Sequence, residues 1–516
     1  MKIYHLLVAC SIAIRLIGFS SLNGAAKELP EEMQKIMHQT KYKHAMWGIY
    51  VKDLQTGEVL FDFNSNKFFS PASTTKLFSV AAFLNTFGDD YRFKTPVFAT
   101  KKIENGKLHG NLILVAQGDL TMGGRQTDAD TIAFTKLDHI NANEVPGAIL
   151  TEENPLNGMN ELARQIYEKG LREITGDIQI DVTLFETIEK RGMVISPIMI
   201  NENLIDIVIN PTKIGEKAGL TWRPEVPGYM VENRIKTVAE DGVLAIEINS
   251  DKEGHHILVE GTIPADRHHI LRTFSIKDPS FFARAAFIQA LENQGIKINL
   301  VPEKPDQTQP LKSYDNFQQV ALWTSPPLSE YAKLILKVSH NLGADLVPLW
   351  LASRQGKKTF DEGMRLLGNF VTEEVKISPD AFVFADAAGG NENRLTPRGE
   401  VQLLDFIHKK SPERFKNFFN ALPIMGVDGS LEDFAKQTRS AGKVRAKTGT
   451  GVVMNSATGH FFLITQALAG YIEGRNDHLF AYMVVVNNGK MDEIEDIFAI
   501  FEDESQLSNM IYNHSN

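Results

Sequence analysis

Apolar and polar residues follow two regimes along the chain, and the changes of period divide it. Residues 31–40 read as a polar helix, followed by two strands at 46–54 and 58–63 joined by Gln55-Thr56-Gly57. The run STTKLFSVAAFLNTF at 73–87 is polar only in its first turn and apolar on nearly every face after it, which predicts a helix buried at a domain centre. From about 91 to 311 short β-like runs take over, at 112–115, 178–181, 205–209, 243–248 and 257–259, with helix-like stretches at 158–169 and 279–294. Helical periodicity returns at 328–338, 342–353, 360–369 and 397–408. Three more strands are predicted at 443–448, 467–472 and 478–486, then a helix from about 492 that packs on a sheet through Ile494, Ile497, Phe498 and Phe501. This order predicts an α+β protein in which β-rich material is inserted. No internal repeat or low-complexity linker interrupts it.

Composition narrows the class. A chain of 516 residues, 43% of them apolar, can bury cores for about two to four domains. Its 54 basic against 64 acidic residues give a net charge of −10, which argues against general binding to nucleic acid or an anionic membrane. The single cysteine, Cys10, excludes intramolecular disulfides, CxxC redox chemistry and cysteine-ligated metal centres. Residues 1–26 place Lys2 before an apolar stretch and end in Gly24-Ala25-Ala26, the outline of a secretory signal cleaved after Ala26. Arg15 interrupts that stretch, and Leu7-Val8-Ala9-Cys10 resembles a lipoprotein box, so an anchor and a lipidated Cys10 stand as alternatives. The expected location is therefore exported, periplasmic or extracellular and associated with the cell envelope, with membrane association only if this segment is retained or lipidated.

Three local patterns can carry chemistry. Ser73-Thr74-Thr75-Lys76 opens the buried helix, and a spacing of three puts an amine within reach of a hydroxyl. The helix N-terminus favours negative charge developing there, and burial lowers the pKa of the lysine as a base requires. Ser440-Ala441-Gly442-Lys443 repeats the spacing by chance, because it leads into a strand, where positions i and i+3 face opposite ways. Ser339-His340-Asn341 lies between two predicted helices, where Ser and Asn serve either a cleft or a helix cap. Lys447-Thr448-Gly449-Thr450 ends a strand; its hydroxyls and amine suit a carboxylate, and Gly449 permits close backbone approach. His255-His256 and His268-His269 lack the carboxylate spacing of a metal site, and Asp119 and Asp181 read as structural turn residues. No metal or other cofactor is expected.

In the order SxxK, SxN, KTGT the set is that of penicillin-binding proteins and serine β-lactamases. The chain resembles the D-alanyl-D-alanine carboxypeptidase and endopeptidase family, the class C low-molecular-mass penicillin-binding proteins. The likeness extends to PASTTKL at 71–77, GDLTMG at 118–123, GDIQID at 176–181, LPIMGVDGSL at 422–431 and VVVNNG at 484–489. It implies a serine β-lactamase/DD-peptidase-like catalytic domain, an antiparallel sheet flanked by helices, over 27–93 and 312–516, interrupted at 94–311 by two nested β-rich domains. It also implies Ser73 as acyl-forming nucleophile, Lys76 as its base, and Ser339 as proton relay to the leaving D-alanine. Asn341 would hold the substrate amide, Lys447 would supply positive charge, and Thr448 and Thr450 would bind the terminal carboxylate. The backbone N–H groups of Ser73 and Thr450 would form the oxyanion hole. The implied substrates are peptidoglycan stem peptides, with β-lactams as covalent inhibitors.

Two stretches depart from the family. Asp386-Ala387-Ala388-Gly389-Gly390 replaces a usual Asp-Gly-Ser-Gly segment, and residues 451–464 lengthen a connection that is usually tight. The extension is expected either to border the substrate groove or to be a plain hairpin extension. These departures leave two rival readings: a cell-wall binding protein with a weak or inactive cleft, and a β-lactamase, esterase or D-aminopeptidase using the same residues.

Overall fold

The computed structural model describes residues 26–299 and 313–515. The N-terminal segment with Cys10, and the expected domain limit at 311, lie outside the described residues.

The chain ends build one five-stranded antiparallel sheet. Its strands are β1 (Met46–Asp53), β2 (Val59–Phe63), β3 (Val444–Met454), β4 (Phe461–Glu473) and β5 (Leu479–Lys490), in spatial order β2-β1-β5-β4-β3. Alternation along β4 decides what each face buries. Ala467, Ala469 and Tyr471 join a core with α1 (Lys76–Phe87), α2 (Leu328–Lys337), α3 (Asn341–Arg354) and α4 (Pro397–His408). Leu468 and Ile472 face the other way, onto α5 (Asp496–His514) and the helix Glu31–Met37.

The uniformly apolar α1 is buried from Lys76 to Leu84, as its composition predicts. Its Phe83 meets Trp350 of α3 edge-to-face with ring centroids 5.6 Å apart. Each large apolar side chain buried in this way contributes about 1.5–3 kcal/mol, enough in sum to hold the segment that carries Ser73.

The inserted region starts where β1, β2 and α1 end. Lys94–Ala99 lies between Gln318–Thr324 and Leu112–Val115, and Ile178–Asp181 adds on parallel to the latter. Strand pairing thus carries this sheet past 311, because Gln318–Thr324 closes it. Helices Asn157–Glu168 and Pro279–Asn293 bury Leu162, Ile166, Phe282 and Phe287 in the same core as its strands. Between them, residues 204–275 form two three-stranded sheets.

Two details differ from the sequence expectation. The helix Pro412–Ala421 was not predicted; Ser411 caps it. On α5 the buried face is Ile500, Leu507 and Ile511, whereas Phe498 is 63% exposed and Ile494 precedes the helix at 42%. The helix begins one turn later than its apolar pattern suggests, so Ile494 lies outside it, while Ile497 falls on the buried stripe and packs partly against the same core.

Candidate active site

Ser73 and Lys76 stand at the junction of two helix types. Ala72–Thr75 is a 3-10 turn and α1 begins at Lys76, so side chains three apart eclipse instead of spreading as in an α-helix. Lys76 Nζ lies 2.7 Å from Ser73 Oγ, 2.8 Å from Asn341 Oδ1 and 2.8 Å from the Ala388 carbonyl. A neutral amine has two protons and one lone pair. It can donate to the amide and carbonyl oxygens and turn its lone pair to the Ser73 hydroxyl. Burial brings the Lys76 pKa down to about 7; Arg191 pushes the same way, while Asp345 and Asp386 oppose.

Asn341 is the first residue of α3, and the turn before it is set by His340. The imidazole Nδ1 of His340 accepts the Gly343 N–H at 3.0 Å. His340 is therefore the cap, and neither Ser339 nor Asn341 is spent on that task. Ser339 has φ +60°, and its hydroxyl has no hydrogen-bond partner among the described residues. Sequence spacing alone gave no sign that the middle residue of this motif would hold the turn.

The third motif lies on β3, the sheet's edge strand. Lys447 is buried, and its Nζ donates to the Thr448 carbonyl at 2.7 Å. Burial and the neighbouring Lys76 hold the Lys447 ammonium well below the usual lysine range. Thr448 Oγ1 shares a 2.9 Å bond with Ser430 Oγ. The loop bearing Ser430 is tied to α2 by the 2.5 Å Lys337–Asp428 ion pair. Thr450 is exposed, and its hydroxyl donates to Gln466 Oε1 at 2.8 Å. The structure thus joins Ser73, Lys76 and Asn341 directly, sets Lys447 and Thr448 beside them, and leaves Thr450 bonded to its own sheet. The second SxxK copy is separated: Ser440 Oγ bonds Thr438, and Lys443 pairs with Glu473.

The unusual Asp386–Gly390 stretch contacts Lys76 through backbone. Asp386 Oδ1 accepts the N–H groups of Ala388, Gly389 and Gly390, a knot that aims the Ala388 carbonyl at Lys76. Gly389 is needed at φ +102°, and a Cβ there would lie 1.9 Å from the Ala72 carbonyl oxygen. Buried Asn393 braces the knot, accepting from the Ala385 N–H at 2.7 Å and donating to Thr75 Oγ1 at 3.3 Å. The side chains replaced in this stretch are not those that reach Lys76. Sequence reading missed Arg191, Asp345 and Asn393, which belong to no local motif.

Elsewhere, Asp138, His139 and Glu202 converge tightly enough to hold a cation. Arg125 pairs with both carboxylates, and although burial opposes the charge, Asp206 and Glu202 hold His139 up at about 10. The cluster is neutralised by its own side chains. His256 pairs with Glu232, and Asp119 accepts from Trp323 Nε1 and Tyr331 Oη, linking the inserted region to α2.

A helix-flanked antiparallel sheet that brings Ser-Lys, Ser-X-Asn and Lys-Thr-Gly elements together defines the penicillin-binding-protein class of peptidase folds. The sequence pattern of the D-Ala-D-Ala carboxypeptidase 3 (S13) family matches residues 29–504, and the chain belongs to that family. It is 24% identical over 496 residues to a D-alanyl-D-alanine carboxypeptidase of Actinomadura sp. (strain R39), covering 90% of this chain and 81% of the relative. It is 22% identical over 456 residues to D-alanyl-D-alanine carboxypeptidase DacB of Haemophilus influenzae, covering 83% and 86% of the two chains. The fold is similar to the crystal structure of penicillin binding protein 4 from Haemophilus influenzae, with a TM-score of 0.70, 19% identity and 93% and 99% coverage. A complex of that protein with a β-lactam superposes with a TM-score of 0.68 at 20% identity, again covering 93% and 99%.

Proposed function

We propose that this chain is an exported, cell-envelope serine DD-peptidase that cleaves D-alanyl-D-alanine bonds, and D-alanyl cross-links, of peptidoglycan stem peptides. The carrying observation is the 2.7 Å bond between Lys76 Nζ and Ser73 Oγ at a lysine whose pKa burial has brought to about 7.

Ser73 Oγ attacks the carbonyl carbon of the penultimate D-alanine while Lys76 takes its proton. The backbone N–H groups of Ser73 and Thr450 stabilise the oxyanion. The C–N bond then breaks, and the proton passes from Lys76 through the free Ser339 hydroxyl to the departing D-alanine nitrogen. Water repeats the attack on the ester, freeing the shortened peptide and restoring Ser73. Asn341 orients the substrate amide. Thr448, Thr450 and Lys447 receive the terminal carboxylate, whose charge favours the Lys447 ammonium against burial and the neighbouring Lys76. A β-lactam ring presents the same carbonyl and carboxylate, so it acylates Ser73 and departs slowly.

Intact mass of the purified protein with and without benzylpenicillin tests the reading, with folded Ser73→Ala as control. The expected result is one adduct on Ser73, absent in the control, together with D-alanine release from muropeptides. No adduct and no penicillin turnover would overturn it in favour of a wall-binding module.

A further inference from the structure

The β-rich insertion sends one hairpin into the neighbourhood of Lys76. Ile188–Lys190 pairs with Met193–Ile195, which leaves Arg191 and Gly192 as a two-residue turn with φ +52° and +72°. Both residues occupy the left-handed region, the geometry of the tightest hairpin connection, which a long cationic side chain rarely takes. The side chain reaches across to the catalytic unit. Arg191 Nε lies 3.1 Å from Asp345 Oδ2 of α3, and its terminal nitrogen lies 2.7 Å from Asp386 Oδ2.

These two carboxylates are the ones that act on Lys76. Asp345 is buried, with Oδ1 lacking a hydrogen-bond partner among the described residues. Asp386 gathers the three N–H groups that aim the Ala388 carbonyl at Lys76 Nζ. The charged groups facing Lys76 are Arg191 from the hairpin, Asp345 from α3, Asp386 from the loop and Lys447 from β3.

We propose that Arg191 is a positioning residue supplied by the insertion: it neutralises Asp345 and Asp386, so that Lys76 keeps its lone pair on Ser73 Oγ instead of holding a proton for those carboxylates. The inference rests on the reading of Lys76 as the base. Without the guanidinium, two carboxylates face one amine and favour its ammonium form, and the 386–390 knot loses the partner that pins it. The insertion then has a task in catalysis besides shaping the cleft. Burial lowers the Lys76 pKa most, and Arg191 is the next contributor in that direction.

The test uses the full chain and its Arg191→Gln and Arg191→Lys variants, with the rate of acylation by benzylpenicillin measured from pH 5.5 to 10 and thermal stability recorded alongside. Arg191→Gln is expected to move the acid limb up by about one unit and so to slow acylation about fivefold at pH 7, with much of the rate recovered near pH 9.5. Arg191→Lys keeps a positive charge and should retain the wild-type limb. Should Arg191→Gln fail to fold, the double variant Arg191→Gln/Asp345→Asn removes the stranded carboxylate, and its limb is expected to return towards the wild-type position. A wild-type limb in Arg191→Gln, an equal loss at every pH, or equal loss in Arg191→Lys and Arg191→Gln would overturn the proposal. In the double variant, a limb still displaced upward would do the same. A wild-type protein that is not acylated at any pH would instead overturn the underlying reading of Ser73 and Lys76.

Discussion

Gly449 and Pro71 meet so closely that a Cβ on Gly449 would lie 2.3 Å from the Pro71 carbonyl oxygen. The contact seats the edge strand β3 against the 3-10 turn that carries Ser73, and the same missing side chain leaves room beside Thr74. Gly449→Ala must push the strand and the turn apart by about 1 Å, a displacement expected to cost about a hundredfold because Ser73 and the proposed oxyanion donor Thr450 lie on opposite sides of the contact. Stopped-flow acylation by benzylpenicillin should show that loss, with a lower melting temperature. An unchanged rate would mean that β3 does not position the reacting groups.

Lys76 sets a pH limit with a defined sign. Its folded pKa of about 7 lies below the ordinary 10.5, so the neutral amine predominates above about pH 7, and acylation with Lys76 as the proposed base is expected to fall as pH drops through that value. Between about 7 and 10.5 the unfolded chain binds the additional proton, so this residue's contribution to stability rises with pH across that window. Lys76→Met should remove this rise, melt higher than wild type near pH 7, and acylate about a thousandfold more slowly. Melting curves at pH 6.5 and 9.5 for both proteins check the sign.

Glu400 provides the opposite case beneath the nucleophile. Its Oε2 lies 2.8 Å from Thr74 Oγ1, Oε1 is buried without a partner among the described residues, and burial pushes its pKa up from 4.5 to about 8 against the Thr74 bond. Thr74 Oγ1 also lies 3.1 Å from the Pro71 carbonyl, so a protonated Glu400 can donate to Thr74, which donates onward to Pro71. Raising the pH from about 4.5 through about 8 costs stability, because the unfolded carboxyl ionises first. Glu400→Gln should remove that loss, on the order of a few kcal/mol by pH 9, with acylation at pH 6 nearly unchanged. Chemical denaturation at both pH values decides it.

The extension after Thr450 continues β3 and β4 as a hairpin beyond the catalytic strand, pairing Val453 with Phe462 and Met454 with Phe461. Near its tip Met454 and Val453 are open to solvent, 57% and 45% exposed, whereas Val452 and Phe461 pack partly against the core and Leu463 is buried. Shortening the turn 455–460, whose residues are all exposed, should leave the melting temperature within about 2 °C, since no core is lost. The KM for a cross-linked muropeptide should change several-fold. Unchanged kinetics in the folded deletion would show that the hairpin does not border the groove.

Much of the candidate site's geometry was legible because its signals are local. The all-round apolar run after Ser73 specified a buried helix, and the three-residue spacing to Lys76 specified that amine and hydroxyl meet. The strand-to-turn context also separated Ser440-Lys443 from the Ser73-Lys76 pair. At the Ser339-His340-Asn341 turn composition left cleft and cap both open, and His340 takes the cap through its ring nitrogen, a choice made by rotamer and not by composition.

By itself the sequence determined the residue types, their order and their periodicity, and with them the family, the fold class and the Ser73-Lys76 pair, since neighbours on one helix need no distant partner. Only the tertiary structure decided which acceptors surround Lys76 and what sets its charge. Asn341 lies 265 residues from Lys76, and Arg191 lies 195 residues from Asp386. Coulomb forces and burial depend on distance in space, and that distance exists only after the inserted domains and the two halves of the catalytic unit have packed.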